Sequence, residues 1–360
     1  AGLGWKWLQY RLLIMRKNLH IILSRLFQAC LIASLLAGCT KVVPDDSFEQ
    51  KSRIGFNTAM TKAAVGYPTT SKFISTAYTI ASTGSWDNAS DRAGATKIID
   101  AEEVSYNGTE KYWSTSTAHY WDANYKYTFF SYSPSSLKGK VGVSKDGVAI
   151  SNWDVETDAR EILVADIAKD KTKNESFSGY SGVPTNFRQK LSKLSFNMGI
   201  SRYAVAGTKV TLLGIKIVGI CTRGNYSKGG YSDNAWTVVE ASRKTGATGT
   251  SVFNVFSGSQ ELSNKTYFNP DSKLIIPQSL LQSGSYHPKL IVEYQIQVGG
   301  GAVETKTAEC HFDINLRQES WVMGMEYTYT IHIGVGQYPI EFDGSVDAWN
   351  VVNNGEVNIG

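Results

Sequence analysis

The chain has 360 residues, of which 19% are charged, and a formal net charge of +4. Residues 1–38 hold Lys6, Arg11, Arg16, Lys17 and Arg25 and no acid, leaving 31 of the 36 Lys and Arg against all 32 Asp and Glu, a charge of −1 for the rest. That balance excludes the broad basic footprint of a nucleic-acid binder, and the length exceeds one ordinary core and suits two domains of about 150 residues.

The first element is a leader. Arg16, Lys17 and Arg25 precede an apolar run, Leu26 to Leu36, that ends in Leu36-Ala37-Gly38-Cys39. A basic segment, a short apolar core and small residues make the layout of a secretory signal peptide, and the core is well short of the roughly 20 residues that span a bilayer. Leu36, Ala37, Gly38 and Cys39 resemble the bacterial lipobox, which implies acylation of Cys39 and cleavage before it. Met15 reads as the start of this leader, with residues 1–14 as upstream sequence, and residues 15–38 as the signal peptide. Lipid at Cys39 would hold the chain on a membrane through about 0.8 kcal/mol per buried CH2. Residues 39–53, with Pro44, Asp45, Asp46 and Glu49 and no apolar periodicity, read as a tether.

Strands follow. Ile54, Phe56, Thr58 and Met60 alternate with smaller or polar residues and predict a half-buried strand. A breaker-rich loop comes next, Thr61 to Pro68, carrying Lys62. Strand signals recur at Phe73–Ile80, Lys111–Trp113, Ala118–Trp121, Tyr125–Tyr132, Gly147–Ile150 and Ile162–Ala165, and Arg188–Ile200 is strand-like after its first turn. The second half repeats the habit at Lys209–Cys221, Trp236–Val239, Val252–Phe256, Lys273–Ile276 and Leu290–Val298. A Gly299–Gly301 turn leads into Val303–Leu316, and Tyr327–Ile333 and Ile340–Trp349 close the chain. Abundant Tyr, Thr, Ser and Gly with scarce Pro and no heptads make an all-β composition. The spacing predicts two tandem antiparallel β-sandwich domains, 54–205 and 206–360.

Catalytic chemistry is not indicated. His119, His287, His311 and His332 are scattered without metal-ligand spacing, so no metal or cofactor is assigned. Hydrolase-elbow and phosphate-cradle motifs are missing, and an enzyme is not predicted. Asp154, Glu156, Asp158 and Glu161 gather near Trp153 without the spacing and glycine of a calcium loop, and read as a solvated loop. The aromatics of 112–132, Trp113 and Trp121 among them, suit a sandwich core better than sugar stacking. Cys221 and Cys310 lie in strand-like surroundings; export permits a disulfide between them, and buried free thiols fit equally well.

Several segments resemble one family. Tyr127-Thr128-Phe129-Phe130-Ser131-Tyr132-Ser133-Pro134, Ile162-Leu163-Val164-Ala165 and Phe187–Phe196 are similar to the N-terminal domain of Bacteroidota fimbrillins, the type V pilins. Leu274-Ile275-Ile276-Pro277-Gln278, Trp321–Ile331, Ile340-Glu341-Phe342 and Val346-Asp347-Ala348-Trp349 are similar to the second domain. The resemblance implies two transthyretin-like sandwiches, export as an outer-membrane lipoprotein, and proteolysis in the loop after the first strand. It also implies that a strand of the next subunit refills the vacated groove. The removable strand would be Ile54, Phe56, Thr58 and Met60, and the donor face Ile340, Phe342 and Val346; that last strand could equally complete its own sandwich. Partners would be other fimbrial subunits, the outer membrane through lipid, and host or bacterial surface ligands. One departure stands out. The family's cut site is an Arg, whereas the loop here offers Lys62, and Arg53 lies on the wrong side of the strand. Cleavage at Lys62 is one expectation; an uncleaved lipoprotein serving as pilus anchor or as a glycan- or host-binding adhesin is the alternative.

Overall fold

The computed structural model describes residues 53–60, 67–173, 182–201, 205–227, 236–246, 249–284, 286–334 and 340–348. The leader, Cys39 with its lipobox, residues 40–52, Lys62 and everything from Trp349 onward lie outside these residues. Of two compact units, Ala1–Lys51 and Ser52–Gly360, only the second is therefore described.

The fold is all-β, as expected. In the first half the strands are β1 (Phe56–Met60), β2 (Phe73–Ala81), β3 (Thr96–Asn107), β4 (Tyr112–Thr115), β5 (Tyr125–Ser133), β6 (Val141–Ser144), β7 (Gly147–Asp154), β8 (Leu163–Ala165), β9 (Ala168–Lys171) and β10 (Val183–Gln189). Seven of them form a ring in the order β2-β3-β4-β1-β10-β8-β5, which closes because β5 also pairs with β2. Ring closure removes most of the free strand edges that a flat sheet would leave. The sequence of β2, Phe-Ile-Ser-Thr-Ala-Tyr-Thr-Ile, does not alternate in polarity because both its faces are buried. Phe73 and Ala77 point into the ring with Phe129 of β5, whereas Ile74 and Tyr78 join Phe130 and Tyr132 in a second, larger core.

The second half contributes β11 (Ser192–Ile200), β12 (Lys209–Val218), β13 (Arg223–Ser227), β14 (Trp236–Val238), β15 (Phe253–Glu261), β16 (Lys273–Ile275), β17 (Gln278–Ser279), β18 (Lys289–Gln297), β19 (Glu304–His311), β20 (Ser320–Trp321), β21 (Met325–Ile333) and β22 (Glu341–Ala348). One sheet runs β16-β11-β21-β22 and another β15-β12-β18-β19. Their inward residues, among them Leu194, Phe196, Tyr329, Ile331, Leu212, Ile215 and Val292, share the larger core. A third sheet, β14-β13-β7-β6, crosses between the halves through the β7–β13 ladder.

Two local expectations need correction. The stretch 188–200, expected to be strand-like after its first turn, holds the end of β10 as well as β11, because the buried positions are odd from Val183 to Gln189 and even from Ser192 to Met198. A strand turns its side chains over every residue, so a change of phase marks a change of sheet. The chain accordingly passes from the ring to the sheet of β11 at Lys190-Leu191. The strand expected to run to Leu316 stops at His311, and a short helix, Phe312–Asn315, follows.

Candidate functional site: the gap closed by β1

β1 and β10 form the one parallel ladder of the ring among the described residues. β1 pairs with β10 from Phe56 opposite Val183 to Met60 opposite Phe187, and the Val183 amide donates to the Gly55 carbonyl at 2.8 Å. Toward β4 the ladder consists of Phe56 opposite Trp113, and the Ile54 amide donates to the His119 carbonyl at 2.7 Å just beyond. The strand thus fills the space between β4 and β10 with one strong edge and one weak one.

The weak edge is reinforced by a side chain. Arg53 donates through Nη1 to the Tyr112 hydroxyl at 3.1 Å and through Nη2 to the Thr115 carbonyl at 2.9 Å. Its guanidinium also lies over the Tyr112 ring, 5.9 Å from the centroid, and its backbone bridges Tyr120. Charge-assisted hydrogen bonds are roughly twice as strong as neutral ones. Arg53 therefore fastens the start of β1 where backbone pairing is sparse. Sequence reading assigned this residue to the tether, since an Arg before an apolar strand looks solvated until its acceptors, some 60 residues away, are known.

Alternation turns Ile54 and Phe56 into the ring. Ile54 is 1% and Phe56 2% exposed, Thr58 is only half-buried, and the Met60 side chain lies outside the described residues. The Phe56 ring sits edge-on to Phe73 at 5.6 Å and to Phe129 at 5.8 Å between centroids. Two such side chains, at roughly 1.5–3 kcal/mol each, make the filled gap worth about 3–6 kcal/mol before entropy. The floor is aromatic as well. Tyr67 stacks on Phe187 at 4.7 Å and lies 5.3 Å from Trp113. Its hydroxyl meets Ser133 Oγ at 2.6 Å, and burial pushes the phenol well above its ordinary range. Gly182, at φ +137°, passes so close that a Cβ there would stand 3.1 Å from the Phe56 carbonyl carbon. Only glycine permits that backbone approach.

The second set of expected residues lies elsewhere. β22 is the outer strand of its sheet and pairs with β21, from Met325 opposite Ala348 to His332 opposite Glu341. Ile340 and Phe342 are half-buried against the larger core, and Val346 is 45% exposed. The structure does not bring Ile340, Phe342 and Val346 to the β1 gap of the same chain.

Other candidate residues have structural places. Trp113 is 5% exposed, its ring surrounded by Tyr67, Phe73 and Tyr106, so it offers no face for sugar stacking. Trp121 packs edge-on to Tyr127. Of the acidic cluster, Asp158 is buried and binds Lys140 and Arg160, while Glu156 pairs with Lys244. Burial alone would raise the Asp158 pKa, but hydrogen bonds from Arg160 and Lys140 outweigh it and hold the carboxyl at about 2. His119 meets Glu102 at 2.8 Å, His287 meets Asp313 at 2.7 Å, and His332 meets the Tyr267 hydroxyl at 3.0 Å. Among the described residues no group of three or more His, Cys, Asp or Glu could hold a metal ion. Cys221 and Cys310 are buried, free thiols, which decides between the two readings of that pair.

A family model described as fimbrillin-like matches residues 44–349. A solved structure of a fimbrial protein from Bacteroides vulgatus superposes with a TM-score of 0.60 at 17% identity, covering 83% of this chain and all of that one. A second, of a cell adhesion protein from Bacteroides uniformis, gives a TM-score of 0.47 at 16% identity, covering 83% of this chain and 99% of that one. At such identities the first likeness is one of fold. No curated protein matches the chain in sequence.

Proposed function

The chain belongs to the fimbrillin-like family, and from that premise we propose that it is a structural or accessory subunit of a cell-surface fimbria, secreted as a lipoprotein and assembled by protease-triggered β-strand exchange to serve adhesion. The observation that carries the reading is β1 itself. It is short, joined to one neighbour chiefly by a single ladder position and a side-chain clamp, and it plugs an otherwise closed ring with Ile54 and Phe56. Taking it away would leave unpaired backbone along β10 and an apolar furrow lined by Phe73, Phe129 and Phe187, both costly in water. A strand supplied by another subunit relieves both costs at once, which is β-strand addition.

The remaining parts follow the same logic. Leu36, Ala37, Gly38 and Cys39 supply lipid attachment and carriage to the outer membrane. Cutting at Lys62, after β1, releases the strand together with the lipid anchor. Ile340, Phe342 and Val346 on an outer strand supply the donor face. The uncleaved alternative, a membrane anchor at the pilus base or a stand-alone adhesin, draws support from Arg53. That residue is the arginine nearest β1, and its guanidinium is engaged with Tyr112 and Thr115 rather than free for a protease pocket. Comparing boiled with unboiled surface extract tests the polymer: a heat-sensitive ladder of this chain is expected. N-terminal sequencing of the assembled material should begin at Ala63. A chain beginning at Cys39 refutes cleavage and favours the anchor, and no ladder at all refutes strand exchange.

A further inference from the structure

β6 carries a glycine that its own backbone does not require. Gly142 pairs in unbroken antiparallel register with Ala149 of β7, and it does not take the positive φ that favours glycine. A Cβ there would meet nothing closer than the Ala149 carbonyl, at 3.8 Å. Glycine inside a strand weakens it, and where no bulge or bend calls for it the residue marks a place that something else approaches closely. Gly142 and Ala149, opposite each other on the exposed face of the β6–β7 hairpin, line a hollow of about 460 Å³, within the range of small-molecule sites. We infer that this hollow binds a neutral sugar residue, with Gly142 and Ala149 against the C–H face of the ring and Ser151, Asn152, Trp153 and Thr157 meeting its oxygens. The inference takes from the adhesion reading only its cell-surface setting and does not depend on strand exchange.

The surroundings are built to hold a ligand in place. β7 has one residue more than β13 between the pairs Ile150–Tyr226 and Trp153–Gly224. Asn152 takes φ +51° at this bulge, and its amide donates to Asn225 Oδ1 at 2.7 Å. Bulges redirect a strand beside functional sites, and beyond this one Trp153 and Asp154 reach the hollow. Trp153 is 3% exposed, and its indole Nε1–H has no hydrogen-bond partner among the described residues. A buried donor left unpaired costs roughly 1–3 kcal/mol, a cost that a ligand oxygen removes. Lys140 Nζ and the Arg160 guanidinium lie over the Trp153 ring, 5.6 and 6.0 Å from its centroid. Asp158 binds both cations, Arg160 Nε at 2.8 Å, so this wall is ordered before any ligand arrives. Charge then selects the ligand class. Lys140 and Arg160 balance Asp154 and Asp158, which leaves an anion no net attraction, and among the described residues no three groups gather for a metal ion. Ser151, Asn152 and Thr157 both donate and accept, as the hydroxyls of a sugar do.

Titration calorimetry of the full chain tests the site, with the methyl glycosides of glucose, galactose, mannose and N-acetylglucosamine as probes. At least one should bind saturably. Gly142→Tyr sets a ring in the hollow and should weaken that glycoside at least tenfold. Ser144→Tyr, on the same exposed face of β6 but outside the hollow, should leave its affinity unchanged. Ala149→Phe fills the space from β7 and should repeat the loss, so the outcome does not hang on one variant folding; thermal melts check each. Trp153→Phe keeps a ring and removes the N–H, and should weaken binding roughly 2- to 10-fold, the worth of one hydrogen bond. Binding by none of the four glycosides, or binding that Gly142→Tyr and Ala149→Phe leave intact, overturns the site. Inorganic phosphate or calcium binding in their place, with the same sensitivity to Gly142→Tyr, overturns the ligand class. The heat-sensitive ladder of Gly142→Tyr should match that of the parent chain, so strand exchange and this site can fail separately.

Discussion

Truncation of Phe56 to alanine measures how firmly β1 is built into the ring. The ring is 2% exposed and sits edge-on to Phe73 and Phe129 at 5.6 and 5.8 Å. Buried Phe→Ala substitutions cost about 3–5 kcal/mol, the transfer of the ring plus the cavity left behind. Urea denaturation of the intact chain should show a loss of that size. The same substitution at Phe342, half-buried on an outer strand, should cost about 1 kcal/mol because far less area leaves water. Exchange of the Val183 amide reports on β1 locally, since that N–H donates to Gly55. At tenfold per 1.4 kcal/mol, its exchange should accelerate roughly 100- to 3,000-fold if β1 opens as a unit. Equal costs for the two phenylalanines, with Val183 exchange unchanged, would refute the assignment of β1 as the plug of the ring.

Three further outcomes are expected. Arg53→Ala should destabilise the chain by about 2 kcal/mol, the range for hydrogen bonds to a charged group, and Arg53→Lys should recover little of it, because one ammonium cannot span Tyr112 and Thr115 as the fork does; full recovery in urea midpoints would refute the clamp. Asp158, held at about 2 against an ordinary 3.8, contributes stability that is complete above about pH 4 and drains as pH falls toward 2. The total is about 2 kcal/mol, so the Asp158→Asn chain should lose stability less steeply across that window, and parallel slopes would count against the Lys140–Asp158–Arg160 cluster. Burial pushes the Cys310 thiol up to about 12 and raises that of Cys221; peptide mapping should find neither alkylated in the native chain and both after denaturation, and rapid native labelling would contradict their burial.

Much of the local structure was legible from residue order, and the misses share a cause. Ile54 and Phe56 were readable as an inward pair because a strand alternates faces regardless of its partner. Thr58 was read with them on the same rule and proved half-buried, since alternation says which way a side chain points and not how deep the neighbours stand. The break at Lys190-Leu191 has a signal in residue order, the change from odd to even apolar positions between Leu191 and Leu194, in a stretch expected to be strand-like only after its first turn. The acids near Trp153 looked like a solvated loop, and Asp158 is instead buried among Lys140 and Arg160, charges brought by neighbouring turns.

By itself the order of residues determined the all-β class, most strand positions and the face each strand buries, because composition and period-two patterning are properties of short segments. Tertiary structure alone decided that β1 lies parallel to β10, more than a hundred residues away, that Arg53 secures its other side, that β2 and β5 close the ring, and that β22 remains at an edge. Many strands of similar period could pair with one another, and which do so depends on how the whole set packs around its two cores, a comparison no single segment contains.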